Sequence, residues 1–463
     1  MTGTPKLSGN IGYFQFLSLG FGTMIGSAWV ILLGNWLGEA GPGGAVLGFI
    51  GGALVVMTIG ACYAELTALL PEAGSEFIYA HRVYGRGVAF TVGWFLILYL
   101  VSVTVFEAIA LAWIAELLIP AWKSAALYSA FGSSITAEML LVGIGAALVI
   151  FALNFMGTQV AVTSHSILTY GFLLVVLCIL GALLAHGRVE NMHPLFATTN
   201  GKPWWMGTGG IFAFCAYALN GFQAIPQAIE ERSGSTRLRT IGIIIIASIA
   251  AAAVFYCLVI VAASVATPWR TLVAAPLPMI AAAATLPHGD TFVLILLIAT
   301  AVSLVKAWNG VFMMAVRLTV AMARAGYIPP ALARLQPRVG SPAAALALIA
   351  ALNIGGIFLG KAAIEPITDM CAMVLTLTYV MCCLTVLRLR SRGGAEPFRL
   401  PGGSAFAWIG LCGSVAMTVV AFLAPFWQRG GLPMEWQLLG VWGLVGCAVW
   451  LSTVRRAARI SPT

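Results

Sequence analysis

Charged residues are scarce in this chain. Asp, Glu, Lys and Arg make up 8% of the 463 residues, whereas 61% of the residues are hydrophobic. Soluble domains carry about 25% charged residues, so this composition excludes a soluble domain of this size and leaves a polytopic membrane protein. The net charge is +9. In a membrane protein such an excess reports orientation, and we expect no nucleic-acid partner because no aromatic-rich basic patch accompanies it.

The motifs of metal, phosphate and disulfide chemistry are missing as well. The five His are scattered, and the chain has neither an HExxH zinc motif nor a phosphate-binding P-loop. The nine Cys lie mostly inside apolar runs, which is typical of packed thiols rather than of a disulfide framework. We therefore expect neither an enzyme nor a cofactor or metal site.

The chain consists instead of long apolar runs, and a run of about 20 apolar residues can cross a bilayer. We predict an all-α polytopic membrane protein with a short tail at residues 1–10, a core of ten spans at 11–400, and two more spans with a C-terminal tail at 401–463. Segment 268–290 is predicted to hold a short external helix. The twelve predicted spans have the approximate limits 11–37, 44–69, 88–118, 138–156, 162–186, 207–229, 240–266, 291–324, 343–360, 365–390, 404–427 and 436–454.

Lys and Arg are distributed unevenly between the two sides of the predicted membrane. With the N-terminus inside, both tails and the even-to-odd connections carry most of them. Cytoplasmic loops carry the excess of Lys and Arg in membrane proteins. We therefore predict a multi-pass protein of the inner (cytoplasmic) membrane with both termini in the cytoplasm.

The first span contains the stretch Gly20 to Ala28, which reads GFGTMIGSA. Each of Gly20, Gly22 and Gly26 weakens a helix by about 1 kcal/mol relative to Ala. One interpretation is that the helix stops and restarts here, lining a cavity with free N–H groups for an anion and free C=O groups for a cation. The other is close helix packing through small residues. This stretch alone leaves both open.

The sixth span has an interruption of its own, with Asn220 and Gly221 at its centre and Pro226 beyond them. Pro removes a backbone donor and clashes with the preceding turn. Broken helices in matching positions of two repeats point to a substrate site at the membrane midplane. Spans one and six are five spans apart, which predicts an inverted repeat of five plus five spans, with spans eleven and twelve outside it. Two unrelated kinks are the alternative.

Several motifs follow one another in a specific order: GTMIGS in span one, GEAGPGG before span two, LPEAGSEFIYA after it and VRLTVAMARAGYIPP after span eight. In these motifs the chain resembles the amino acid–polyamine–organocation permeases, over residues 10–400. The resemblance implies a transporter in which broken spans one and six move against a scaffold. The chain departs from the family at Ala28 and Trp29, where Gly is frequent, and it has no Lys in span five, where some sodium-independent members carry one.

The resemblance implies a substrate site at the two breaks. A substrate carboxylate would bind opened N–H groups of span one, from Met24 to Ser27. The ammonium would lie against carbonyl groups of that stretch and of span six near Phe214 and Tyr217. Tyr217 resembles an aromatic that closes over substrate; a packed aromatic is the alternative. Gln223 stands where some members with cationic substrates have a gating Glu. The binding candidates are Gly22, Thr23, Met24, Ile25, Gly26, Ser27, Phe214, Tyr217 and Gly221.

Three ionisable residues lie deep in predicted spans: Glu107 in span three, Lys306 in span eight and Asp369 in span ten. Such residues are costly in a membrane and are functional candidates. The resemblance assigns Glu107 and Asp369 to the side-chain end of the pocket, where two carboxylates would favour a cationic substrate. The alternative is that either carboxylate pairs with Lys306 in a buried structural network.

Lys306 falls where sodium-coupled relatives of this fold carry a hydroxyl ligand for sodium. Its ammonium would supply the same positive charge, and the carbonyl groups of the break in span one could accept its three N–H donors. We therefore predict transport without sodium, either coupled to protons or by exchange.

The predicted function is secondary active transport of amino acids or related organic amines across the lipid bilayer. A permease for polyamines or monoamines that lack a carboxylate is the alternative within transport. The alternative of another class is a non-transporting membrane sensor or partner subunit, against which the GTMIGS motif and Glu107 argue. A homodimer is left open.

Overall fold

Helices form nearly all of the chain that the structure, a computed structural model, describes. The described residues are 10–119, 121–122, 125–130, 132–197, 203–391, 403–429 and 433–460. The helices are α1 (Tyr13–Met24), α2 (Ala28–Ile31), α3 (Leu33–Leu69), α4 (Glu76–Tyr84), α5 (Arg86–Leu118), α6 (Ala137–Phe155), α7 (Thr158–His186), α8 (Trp204–Ala218), α9 (Ala224–Gln227), α10 (Leu238–Ala266), α11 (Trp269–Val273), α12 (Pro278–Ala283), α13 (Gly289–Arg324), α14 (Ala343–Ile357), α15 (Ile364–Ser391), α16 (Ala405–Arg429) and α17 (Met434–Ile460).

Ten helical segments of the described chain are long and apolar enough to cross a membrane, so the chain is a mostly helical, multi-pass membrane protein. Two predicted spans correspond to shorter helices. Span 207–229 is divided between α8 and α9, and span 343–360 contains α14, which has 15 residues. A helix of that length extends about 23 Å, less than the roughly 30 Å of a hydrocarbon core. The total of twelve spans therefore stays a prediction.

The first two predicted spans are joined by a kink rather than by a loop. α3 continues through Gly41, whose φ of +72° is a left-handed value that Gly adopts without steric cost. Neighbouring backbone lies against the kink: Gly43 N–H donates to Leu195 O at 2.7 Å. A Cβ at residue 41 would lie 2.6 Å from the backbone nitrogen of Ala197. Only Gly fits where the chain turns from the first span into the second.

α3 packs against α8 through a stripe of glycines. Gly44, Gly48 and Gly52 follow one another at intervals of four, which puts them on one helix face. A Cβ at Gly48 would lie 2.9 Å from Ile211, and one at Gly52 would lie 2.4 Å from Cys215. Small residues let helix backbones approach closely in membranes. This stripe holds α8, which carries one wall of the candidate site, against α3.

Two small elements lie between the long helices. The strands β1 (Tyr128–Ala130) and β2 (Ser133–Ile135) form an antiparallel hairpin between α5 and α6. Segment 268–290 holds α11 and α12, which confirms the prediction of a short helix there.

The start of α1 is paired with the chain segment that follows α9. Ile11 N–H donates to Glu231 O at 3.0 Å, and Ser233 N–H donates to Ile11 O at 3.1 Å. These bonds form an isolated parallel bridge. The entrance to the first span and the exit from the sixth are therefore joined by backbone hydrogen bonds.

Two ion pairs hold α13 against the same segment. Arg317 Nη2 lies 2.6 Å from Glu231 Oε2, and Arg324 Nη1 lies 2.8 Å from Glu230 Oε2. The side chains of Arg317 and Glu231 are 5% and 1% exposed. Removing one partner of a buried pair costs about 3–5 kcal/mol, so these contacts close this end of the bundle firmly.

Candidate functional site

The first span is interrupted at residues 25–27. α1 ends at Met24 and α2 begins at Ala28, and Ile25 between them has φ −96° and ψ 89°, outside the helical region. The predicted break in this span is therefore confirmed.

The three glycines of the first span serve two different purposes. Gly20 and Gly22 are helical residues of α1. A Cβ at Gly20 would lie 2.6 Å from Ile225, and one at Gly22 would lie 2.3 Å from Thr169 Oγ1. Gly26 alone lies in the break. Both interpretations of this stretch therefore hold, close packing for the first two glycines and an opened backbone for the third.

The free backbone donors begin later than predicted. Met24 is helical, and Ile25 N–H still donates to Phe21 O at 3.3 Å. In the part of the chain that the structure describes, the N–H groups of Gly26 and Ser27 have no hydrogen-bond acceptor. Of the predicted donors Met24 to Ser27, the N–H groups of Met24 and Ile25 are therefore not free, because the last turn of α1 uses them.

Lys306 of α13 lies behind this break and is fully buried. Its Nζ donates to Gly22 O at 2.9 Å and to Ile25 O, and it lies 4.6 Å from the ring centroid of Phe172. The predicted contact with the carbonyl groups of the first span is therefore present. These hydrogen bonds go to carbonyl oxygens and not to Glu107.

Other side chains bind the remaining carbonyl groups of this break. Ser303 Oγ donates to Gly26 O at 2.8 Å, and the Trp29 indole donates to the same oxygen at 2.9 Å. Tyr256 OH donates to Met24 O at 3.3 Å. The carbonyl groups predicted to hold a substrate ammonium on span one thus already have protein donors.

The sixth span is broken as predicted. α8 ends at Ala218 and α9 begins at Ala224. Gly221 has φ +117°, and a Cβ there would lie 2.8 Å from the backbone of α1. Gln223 is 1% exposed; its Oε1 accepts from Gly221 N–H at 2.7 Å and its Nε2 donates to Tyr379 OH at 3.1 Å. Gln223 supports the backbone of the break, and its gating role stays a prediction.

A cavity of about 430 Å³ lies between the two breaks, a size within the usual range for small-molecule sites. Gly22, Ile25, Gly221, Gln223 and Lys306 are not among its described lining residues and lie within or behind the breaks. The predicted site residues that line it are Thr23, Met24, Gly26, Ser27, Glu107, Phe214, Tyr217 and Asp369.

Glu107 of α5 lies beside the break of the first span. Its Oε1 is 2.7 Å from the position that a Cβ would take at Gly26. Among the residues that the structure describes, its buried Oε2 has no hydrogen-bond partner, and neither do the buried hydroxyl groups of Thr23 and Ser27. The resemblance assigned Glu107 to the side-chain end of the pocket. In the structure, the turn of α5 that carries Glu107 packs directly against the opened backbone, and its place at the side-chain end of the pocket stays a prediction.

α15 supplies a further wall of the cavity. Ile364, Thr368, Asp369, Ala372 and Thr376 line it, at spacings that put them on one helix face. Asp369 therefore shares the cavity with Glu107, and its contact with substrate stays a prediction.

Several residues that line the cavity were not among the candidates predicted from the sequence. Asn35, Trp36 and Glu39 lie on α3, about two to three turns beyond the break. Trp36 packs against Phe214 and Tyr256, with ring centroids 5.8 and 5.7 Å apart. The spacing of four between Asn35 and Glu39 in an apolar run was an available signal. The aromatic residue Trp36 gave no comparable signal in the sequence, since aromatic residues are common in membrane proteins.

The sequence matches a known family and several transporters of known substrate. Residues 11–444 match the family described as Amino acid permease. The chain is 26% identical to the glutamate/serine transporter AimA of Bacillus subtilis (strain 168), over 94% of this chain and 79% of that protein. It is 25% identical to the aspartate-proton symporter of the same organism, over 93% and 81%, and 23% identical to its methylthioribose transporter, over 98% and 95%. These relatives are transporters and not enzymes.

Proposed function

The chain belongs to the amino acid permease family, and from that membership we propose that it is a sodium-independent secondary transporter of amino acids or related organic amines. Substrate binds in the cavity between the two breaks. α1 and α2, together with α8 and α9, move against the other helices and expose the cavity to the two sides of the membrane in turn.

The position of the Lys306 ammonium carries this proposal. Sodium in transporters is bound by the oxygen atoms of interrupted helices. The oxygens of Gly22 and Ile25 at the end of α1 accept hydrogen bonds from Lys306 instead. A cation that belongs to the protein thus balances the partial negative charge of this helix end. A sodium ion at the same place would meet a like charge.

Two ways of driving transport fit this arrangement, coupling to protons and exchange of one substrate for another. A Lys ammonium can release and regain a proton. Release would remove the charge that holds the end of α1 against α13. The relative described as an aspartate-proton symporter supports proton coupling as the first mechanism to test.

The architecture proposed for this function has twelve spans and an inverted repeat of five plus five. The breaks in the first and sixth predicted spans support the repeat. The distribution of Lys and Arg supports an inner-membrane location with both termini in the cytoplasm. A homodimer stays open.

Uptake into proteoliposomes that contain the purified full chain tests the proposal. A panel of labelled amino acids and amines is offered with an imposed proton gradient, with an imposed sodium gradient, and with unlabelled substrate inside the vesicles. We expect uptake that is driven by protons or by internal substrate and is unchanged when choline replaces sodium. Sodium-stimulated uptake would overturn the mechanism. Binding without any uptake would favour a sensor or partner subunit.

A further inference from the structure

We propose that the cavity takes organic amines that carry no carboxylate beside the ammonium, and that Glu107 is the residue that binds this ammonium. Such compounds are the decarboxylated counterparts of amino acids. The inference rests on the transport function proposed above and narrows its substrate class.

The backbone acceptors of the first break are already used. The oxygens of Gly22 and Ile25 accept from Lys306, and that of Gly26 accepts from Ser303 and Trp29. A substrate ammonium has three N–H donors that need acceptors. It has to find most of them among side chains.

Two carbonyl groups at the end of α8 also accept hydrogen bonds from the protein. Tyr217 O accepts from the Asn220 side chain and from Asn220 N–H, the latter at 3.2 Å. Ala216 O accepts from Tyr379 OH at 3.5 Å. The oxygens of Ala216 and Tyr217 therefore already have protein donors, as those of the first break do.

Glu107 supplies the acceptor that the backbone does not. The residue is 4% exposed, and its Oε2 has no hydrogen-bond partner among the described residues. Lys306 is close enough to interact with Glu107 electrostatically but gives its hydrogen bonds to Gly22 and Ile25, and a buried carboxylate without a directly paired cation is costly. A substrate ammonium in the cavity would give Glu107 that cation.

The same carboxylate disfavours a second one. Glu107 Oε1 lies beside Gly26, next to the free N–H groups of Gly26 and Ser27 that would otherwise attract a substrate carboxylate. Two carboxylates here would repel each other in surroundings of low polarity and compete for the same donors. Glu107 should therefore disfavour binding of an amino acid but not of the corresponding amine, which has no carboxylate.

The aromatic walls of the cavity suit the apolar part of such an amine. Trp36, Phe214, Tyr217 and Tyr256 line the cavity. Aromatic rings accept apolar substrate groups and also stabilise cations over their faces. An amine with an alkyl or aryl body matches this combination of acidic side chains (Glu107, with Asp369 and Glu39 elsewhere in the lining) and several rings.

Matched ligand pairs test the inference on the purified full chain. Tyramine and tyrosine, cadaverine and lysine, isopentylamine and leucine, and agmatine and arginine differ within each pair only by the carboxylate. Binding is measured by ligand-dependent thermal stabilisation, and transport by uptake into proteoliposomes. We expect at least one amine to bind at least about tenfold more tightly than its amino acid, a difference of about 1.4 kcal/mol.

Glu107→Gln and Glu107→Asp separate the charge from the shape of this side chain. The first should weaken amine binding by at least about tenfold and remove the preference over the amino acid, whereas the second should keep the preference. Glu116→Gln is the matched control, since Glu116 lies on the same helix, pairs with Lys361 and is outside the cavity lining. It should leave both affinities unchanged.

The outcomes distinguish this inference from the function on which it rests. Uptake of amino acids in preference to their amines would overturn the inference and leave the transport function standing. A preference for amines that survives in Glu107→Gln would overturn the role of Glu107. Failure of every ligand to bind or to be taken up would contradict both.

Discussion

Replacing Lys306 by Met tests whether a protein cation stands in for sodium. Met has a similar length, so it fills the space but brings no donor. The oxygens of Gly22 and Ile25, which now accept from Lys306 Nζ, would lose that donor in a fully buried position. Ile25 O still has the Ser303 hydroxyl at 2.9 Å, so the main loss is at Gly22 O and costs about 1–3 kcal/mol. We expect a lower melting temperature and no uphill accumulation, with substrate binding retained.

Replacing Lys306 by Thr should create a need for sodium. The hydroxyl restores one polar group, and the carbonyl oxygens of Gly22 and Ile25, with the nearby Ser303 hydroxyl, become available as oxygen ligands. Sodium at a hundred times its dissociation constant would stabilise this variant by about 2.7 kcal/mol. The wild-type protein should gain nothing, because its ammonium already occupies the place.

The assay is thermal unfolding of the purified proteins in sodium, potassium and choline chloride at equal ionic strength. Lys361→Met is the matched control, since Lys361 is 34% exposed and pairs with Glu116 at 2.5 Å. Losing a surface pair of this kind costs at most about 1 kcal/mol. The reasoning is refuted if sodium raises the melting temperature of the wild-type protein as much as that of Lys306→Thr. It is also refuted if Lys306→Met has the same melting temperature as Lys361→Met and still accumulates substrate.

Three further substitutions test other parts of the structure. Gly26→Leu should abolish transport and leave membrane expression intact, because Glu107 Oε1 is 2.7 Å from the Cβ position; normal uptake beside normal expression would remove the site from this break. Gly221→Ala should lower stability by about 1–3 kcal/mol, since φ is +117°; an unchanged melting curve would contradict this. Arg317→Met should cost about 3–5 kcal/mol by leaving Glu231 unpaired, and adding Glu231→Gln should recover part of it; a double variant no more stable than the single one would argue against the pair.

The sequence predicted that the first span is broken, but not at which residue. Gly20, Gly22 and Gly26 are chemically identical. Their difference arises from partners far away in the chain: Ile225 and Thr169 pack on the first two, so these stay helical, whereas the third faces the cavity. Such contacts between distant segments are not encoded in local helix propensity.

For the charged residues too, the sequence identified the candidates but not their exact positions in the site. Glu107, Lys306 and Asp369 could be selected because ionisable residues are rare in membrane spans. Which part of the pocket Glu107 reaches depends on how α5 is rotated and shifted against the first span, and residue counting alone does not show that its Oε1 lies beside Gly26. The contact of Lys306 with the carbonyl groups of the first span was predictable, because it follows from the fold that the resemblance implies.

The bridge at Ile11 has a mechanical consequence. Ile11 is bonded to the backbone of Glu231 and Ser233 at one end of α1, and Gly221 lies on the α1 backbone at the other. α1 and α9 are thus fastened at two points, which removes their freedom to tilt independently. In the transport mechanism proposed above, α1 and α9 would therefore move together, and the ion pairs of Arg317 with Glu231 and of Arg324 with Glu230 would have to break for this end to open.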